Sequence, residues 1–414
     1  MEKRADGKRM NILLINHYAG SPGMGMEFRP YYFAREWIKM GHHVDIIAAD
    51  YSHLRIKNLQ VHEDFQTEDI DGIKYHWIKA GQYEGNGAKR ALTMFRFVGK
   101  LWLHAGKIVK EYRPDVVITS STYPLDTYAG QRIAKKAKVK LIHEVHDMWP
   151  ISPMELGGMS KYHPFIILMQ MAENSFCRNS DYVVSLLPKA KEYFMEHGMA
   201  EGKFVSIANG VVLKEWEEKK LLPNETGKML ENIKKSCSFL LCFFGSHTRS
   251  YAIEYLIDAV KRFAPEEVGV VLVGNGTEKE RLQERSGDAQ NIWFLDSVPK
   301  MCIPSLLGMV DGIYVGAVKN RMLRFGICMN KLFDAMMSGK PILYAVDAPN
   351  NYIREFNCGV SVPPEDAEAL IYGIKKLVNL SERERLEMGE RGKQAVLTYF
   401  TYDALAKKFE SLFE

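Results

Sequence analysis

The sequence predicts an α/β protein built as two doubly wound parallel-sheet domains that face one another across a cleft. Three observations carry that expectation. Short apolar runs alternate with helical patterns along the chain, and strands alternating with helices form parallel sheets covered on both faces. The order strand, glycine, loop, helix occurs twice, opening at Asn11 and again at Phe239. The length of 414 residues exceeds what one hydrophobic core usually supports, so two domains are expected.

Taken in order, the first apolar run, Asn11 to Asn16, leads into a loop holding Gly20, Gly23 and Gly25 and then a helical stretch from Pro30 to Met40, closed by Gly41. Further strands are expected at 43–49, 72–80, 115–119, 139–146, 182–186 and 205–207, with helices at 88–112, 128–137, 163–178 and 189–196 between them. These make a first Rossmann-like domain over 1–210. The polar stretch 211–236, with Glu-Lys clusters, Pro223 and Gly227, reads as a linker. A second Rossmann-like domain over 237–395 takes strands at 239–244, 268–273, 291–294, 312–315, 341–344 and 359–362. Its helices are expected near 250–263 and at 278–285, 330–338 and 366–378. Helical patterns at 382–399 and 402–413 close the chain, and the segment 396–414 can cross back to the first domain. Ligands of such sheets bind beyond the carboxyl ends of the strands, so two facing domains are expected to share one ligand.

Composition narrows the class. With 46% hydrophobic and 26% charged residues, the chain reads as globular. Six cysteines without a CxxC pair speak against a zinc ribbon or a disulfide framework and for a reducing compartment. No apolar run of spanning length occurs, and Met1 to Arg9 is charged, so a cytoplasmic protein is expected. Net charge is only +4, yet between Lys89 and Lys140 twelve Lys or Arg stand against Glu111, Asp115 and Asp126. The helix 88–112 interleaves basic and aromatic residues. It is either an amphipathic helix packed on its own sheet with a solvated basic face, or a peripheral surface for an anionic membrane that presents a lipid-linked acceptor. Nucleic-acid binding is not expected from so local a surplus.

Several segments can carry chemistry. The loop through Gly25, with Glu27 and Arg29 beyond it, can bring backbone N–H groups to a diphosphate or an acceptor at a helix N-terminus, or be an ordinary tight turn. It lacks the GxGxxG spacing of dinucleotide-binding proteins. His146 and Asp147 stand at the end of an expected strand, where His146 can donate to a sugar hydroxyl or stabilise developing charge and Asp147 can orient it. The alternative is a satisfied histidine beside a turn. His143 and His146 have no third metal ligand in view. In the second domain Gly245, Ser246 and Arg249 follow a strand, and Arg249 can pair with phosphate oxygens or lie idle at the surface. Asn330, Lys331 and Asp334 fall in the first turns of a helix, with Lys331 and Asp334 on one face. Such a pair can hold diphosphate and ribose, or be a surface ion pair.

Together the glycine loop, Gly41-His42-His43-Val44, Pro114-Asp115-Val116-Val117, His146-Asp147-Met148-Trp149-Pro150, Asn209-Gly210-Val211, Leu272-Val273-Gly274-Asn275-Gly276 and Asn330-Lys331-Leu332-Phe333-Asp334 before Gly339-Lys340-Pro341 resemble the retaining glycosyltransferases of family 4, of GT-B fold. The form Asn-Lys-Leu-Phe-Asp looks like the subgroup that builds bacterial surface polysaccharides from UDP-acetamido sugars. The resemblance implies sugar transfer from a nucleotide-diphosphate donor to a glycan or lipid-linked acceptor, with His146 catalytic. Gly25, Gly245, Ser246, Arg249, Asn330, Lys331 and Asp334 then lie on the donor, and Glu27, Arg29 and Asp147 on the acceptor side. It implies no cofactor and no bound metal. Two positions depart from the family pattern: Gly326 stands where a Glu is usual, and Tyr251-Ala252 where a Lys-Gly pair brings a second cation. Rival readings are a nucleotide-sugar epimerase of the same architecture and a non-catalytic relative, which Gly326 favours.

Overall fold

The computed structural model describes residues 9–25, 28–85 and 87–414. The chain divides into two compact units. One takes in the chain up to Ala208 together with Leu405–Glu414, and the other is Asn209–Ala404.

Among the described residues of the first unit, eight strands form one sheet: β1 (Asn11–Ile15), β2 (His43–Ala49), β3 (Gln66–Ile70), β4 (Ile73–Ile78), β5 (Val116–Thr119), β6 (Lys140–Val145), β7 (Tyr182–Ser185) and β8 (Phe204–Ser206). Their order is β3-β4-β2-β1-β5-β6-β7-β8. Only β3 runs antiparallel, paired with β4. β1 lies between β2 and β5, with Leu14 opposite Ile46 and Ile118. The central strands are buried on both faces, as their continuous apolar runs require. Strand β3, Gln-Thr-Glu-Asp-Ile, alternates between half-buried and exposed residues. Its polar composition hid it from the sequence pattern. The helix expected over 88–112 is two helices, Ala88–Leu103 and Ala105–Tyr112. They part at His104, whose backbone leaves the helical region and whose ring Nδ1 lies 2.8 Å from Lys100 O.

The terminal segment completes this unit's core. Trp37 is fully buried and donates through Nε1 to Ala406 O at 3.3 Å, with its ring 5.3 Å from Phe409 and 5.4 Å from Phe413. Beside it His42 Nε2 lies 2.8 Å from Glu410 Oε1.

The second unit holds a six-stranded, all-parallel sheet among its described residues. Its strands are β9 (Phe239–Phe244), β10 (Val268–Val273), β11 (Ile292–Leu295), β12 (Gly312–Gly316), β13 (Ile342–Ala345) and β14 (Gly359–Ser361), in the order β11-β10-β9-β12-β13-β14. Strands β9 and β10 are buried throughout. The stretch expected to be a linker is instead folded into this unit, as helices Leu213–Glu217 and Asn224–Ser236. The second helix buries Leu230 and Ile233 and ties Lys234 to Asp311. Its Glu and Lys residues are the solvent face of an amphipathic helix. Among the described residues no helix is long and apolar enough to cross a membrane.

Candidate functional site

In the second unit, the ends of β9, β10 and β11 enclose a cavity of about 310 Å³ lined by Gly245, Ser246, Gly274, Ser297, Val298 and Ile303, among others. It lies where open parallel sheets take their ligands. The two glycine loops that form it press backbone on backbone, since a Cβ on Gly274 would overlap Gly245 O. On the other side of Gly245 sits Lys331. A Cβ on Gly245 would come within 2.8 Å of its Nζ.

Lys331 Nζ is buried and has no hydrogen-bond partner among the described residues. It lies 3.3 Å from the centroid of the Tyr251 ring and 4.3 Å from that of Phe243, so two π faces and, among the described residues, no carboxylate balance its charge. Burial pushes its pKa down to about 7. Tyr251 occupies the position where the resemblance leads one to expect a lysine, and Ala252 takes the left-handed backbone, φ +52°, that a glycine would favour. The Lys331 ammonium, from a different element, thus stands over the Tyr251 ring. Behind it His247 is fully buried with both ring nitrogens unpartnered. Burial, then Lys279 and Lys331, lowers its pKa to about 4, which keeps it neutral.

Arg249 is exposed in a short turn, and Asn330 is exposed at the first position of the helix Asn330–Met337. Lys331 and Asp334 share that helix but not a neighbourhood. Asp334 meets Trp216, Lys300 and Glu215, the last two joined by a 3.0 Å ion pair. Burial raises Asp334 to about 6, with Lys300 opposing, Glu215 adding and a hydrogen bond to Trp216 opposing. The shared face proposed from spacing therefore does not bring cation and carboxylate together. Gly326 has φ +105° and ψ −176°, a conformation essentially reserved for glycine. A residue with a side chain would strain the backbone in this conformation.

In the first unit the end of the glycine loop packs against the segment carrying Arg55 and Ile56. Gly25 forms an isolated bridge with Arg55, and a Cβ on it would approach Ile56 N at 2.8 Å. The Arg55 guanidinium donates to Ala19 O and Ala49 O. Gly25 therefore serves close backbone packing, as the tight-turn reading of this loop requires. Glu27 lies outside the described residues.

Arg29, expected toward the acceptor, is buried with its donors spent internally. Nε and Nη2 donate to Glu144 Oε1 at 3.0 and 2.9 Å, Nη1 to Ala208 O at 2.7 Å, and Nη2 to Ile207 O at 2.8 Å. Its partner Glu144 turns its second oxygen to His146. Ser120 Oγ donates to Glu144 Oε2 at 2.6 Å, and His146 Nε2 lies 2.8 Å from Ser120 Oγ and 3.1 Å from Glu144 Oε2. With acceptors on that side, the ring proton belongs on Nε2. Burial would raise Glu144, but Arg29, His146 and the hydrogen bonds from His146 and Ser120 hold it well below the usual carboxylate range. Asp147 is exposed in the following turn. His143 is buried, stacked on Phe176 at 3.9 Å and lowered to about 3 by burial, a satisfied core histidine.

Neither motif nor spacing singles out Glu144, Ser120 or Asp126. Glu144 was legible as an acid inside an apolar strand. Asp126 Oδ2 accepts from Ser121 N at 3.0 Å while Oδ1 is buried without a partner. Burial pushes it up to about 7 against hydrogen bonds from Ser121 and the nearby His146.

Comparison with known proteins supplies the family. The model described as Glycosyltransferase Family 4 matches residues 24–215, and that described as Glycosyl transferases group 1 matches residues 238–379. Among curated proteins none matches the chain by sequence. A sucrose-phosphate synthase from Thermosynechococcus elongatus superposes with a TM-score of 0.72 at 17% identity, over 98% of each chain. HepE from Anabaena, solved with UDP and glucose, gives 0.62 at 16%, over 97% of this chain and 99% of that one. WaaG, a glycosyltransferase involved in lipopolysaccharide biosynthesis, gives 0.64 at 16% over the same shares. At such identities these structures speak for the fold alone. With both parts of the chain matched by glycosyltransferase models and the whole chain sharing that architecture, the chain belongs to the family 4 glycosyltransferases of GT-B fold.

Proposed function

We propose that the chain transfers a sugar from a nucleoside-diphosphate donor, a UDP-sugar, to a glycan or lipid-linked acceptor with retention of anomeric configuration, in the synthesis of a surface polysaccharide or glycoconjugate. The observation that carries this is the buried, unpartnered Lys331 ammonium beside Gly245, next to the cavity beyond the strand ends. An ammonium without a counter-charge is costly until an anion arrives. A donor diphosphate is that anion, with its oxygens on Lys331 and on the backbone at Gly245 and Ser246. HepE solved with UDP-glucose and an E. coli trehalose-6-phosphate protein bound to UDP-2-fluoro glucose support the choice of uridine.

In this mechanism Lys331 stabilises the charge that grows on the departing diphosphate, and the leaving phosphate takes the acceptor's proton. His146, fixed by Glu144 and Ser120, hydrogen-bonds the donor sugar. No resident metal or cofactor takes part, so a chelator leaves turnover unchanged. The deciding experiment screens nucleotide sugars for thermal stabilisation and follows the product by NMR. Stabilisation by UDP and its sugars with a retained anomer is expected. An inverted anomer would overturn the mechanism, and epimerised donor without transfer would replace it with an isomerase. The exposed basic residues on the helices of the first unit support a peripheral location on an anionic membrane.

A further inference from the structure

The helices Ala88–Leu103 and Pro164–Asn179 leave an apolar groove open on the surface of the first unit. It measures about 390 Å³ and is lined by Phe95, Gly99, Trp102, Leu103, Tyr128 and Leu168, among others. Large side chains on both helices face solvent here, with Leu103 70% and Leu168 40% exposed. Gly99 keeps the groove open, for a Cβ there would meet no atom within 4 Å. From Phe95 to Leu103 the helix rises about 12 Å at 1.5 Å per residue.

Two further observations decide what fills it. The first is continuity. Leu125 lines the groove and also packs in a buried cluster with Tyr18, Tyr83 and Tyr123. The loop that carries it begins at Ser120, whose hydroxyl touches His146. One short segment therefore joins the groove to the histidine. The second is charge. Arg132 stacks on Trp102 at 3.6 Å. Lys89, Arg96, Lys135 and Lys136 are exposed and pair with no acid among the described residues, while Lys100 is the one held by Asp64. A second copy of the chain docked face to face would bring these cations against each other. The apolar groove suits a long hydrocarbon tail, and the exposed cations suit the anionic leaflet from which a lipid bearing such a tail would be drawn.

We propose that this groove holds the hydrocarbon chain of a lipid-phosphate acceptor, so that the head of the lipid reaches toward Ser120 and His146. The acceptor role rests on the transferase reading above. The groove itself is tested separately.

Dodecyl phosphate, below its micellar concentration, is titrated into the full chain by calorimetry, with butyl phosphate as the head without the tail. Saturable binding of dodecyl phosphate alone is expected, weakened at least tenfold in Gly99→Leu, which fills the groove. Stabilisation by UDP is expected to stay unchanged in that variant, which shows that it folds. Equal binding of the two phosphates, an unchanged affinity in Gly99→Leu, or dimerisation with no uptake of dodecyl phosphate would each overturn the groove. Should UDP fail to stabilise a protein that still takes dodecyl phosphate in a Gly99-dependent way, the donor reading falls while the lipid groove stands.

Discussion

At the scale of single residues, Lys331 sets stability against binding. Its pKa in the folded protein is about 7 against an ordinary 10.5, so between those values the unfolded chain holds a proton that the folded one has lost. Stability therefore rises with pH across that window. Diphosphate needs the ammonium, so donor affinity falls as pH rises above about 7. Lys331→Met removes a buried ammonium and is expected to raise the melting temperature while weakening UDP binding, about tenfold or more for a lost charge-assisted contact. A UDP affinity flat from pH 6 to 9, or unaltered in the variant, would remove Lys331 from the donor site. The pair Arg29 and Glu144 behaves in the opposite sense. Both side chains are almost wholly buried, and removing one partner strands the other, at about 3–5 kcal/mol. Glu144→Met and Arg29→Met are each expected to lower stability by that order in urea melts. The double change to methionine should cost less than their sum, yet still lower kcat, because His146 loses its acceptor. Strict additivity of the two single effects would show that the pair does not act as one unit.

At the scale of elements, what the sequence revealed followed from apolar periodicity, and what it hid was polar. The buried parallel strands, β9 and β10 above all, stood out as runs of apolar residues. Strand β3 and the helix Asn224–Ser236 stayed hidden, because a half-exposed edge strand and an amphipathic surface helix look like loop when charged residues dominate. The same limit governs the site. Lys331 could be read from its place at a helix start, but its neighbours Tyr251 and Gly245, and the partners Trp216 and Lys300 of Asp334, come from distant segments that periodicity cannot bring together. The terminal segment Leu405–Glu414 makes a testable element. It covers Trp37 with Phe409 and Phe413 and supplies the carbonyl for its indole. Phe409→Ala should destabilise the first unit by about 3–5 kcal/mol, the usual result of emptying a large aromatic site in a core. A loss under about 1 kcal/mol would mean that this segment does not hold the core closed.

At the scale of the whole molecule, charge is arranged rather than accumulated. The net value is +4, too small to drive general adhesion, whereas the exposed cations beside the apolar groove are concentrated on neighbouring helices. Arg132, Lys135 and Lys136 lie three and four residues apart and so share one helix face, the face on which Arg132 meets Trp102. Each basic residue near an anionic leaflet contributes about 1 kcal/mol. Replacing Lys135 and Lys136 by Ala should therefore remove about 2 kcal/mol and weaken partition onto anionic vesicles roughly thirtyfold. The attraction also falls with salt, because the Debye length shrinks to about 3 Å at 1 M. Flotation with vesicles containing phosphatidylglycerol, compared with pure phosphatidylcholine, reads both effects. If Lys135→Ala/Lys136→Ala floats as the parent does, or if neutral and anionic vesicles recruit the protein equally, the basic rim has no part in placing the enzyme on a membrane, and contact would rest on the exposed Trp102, Leu103 and Met171 alone.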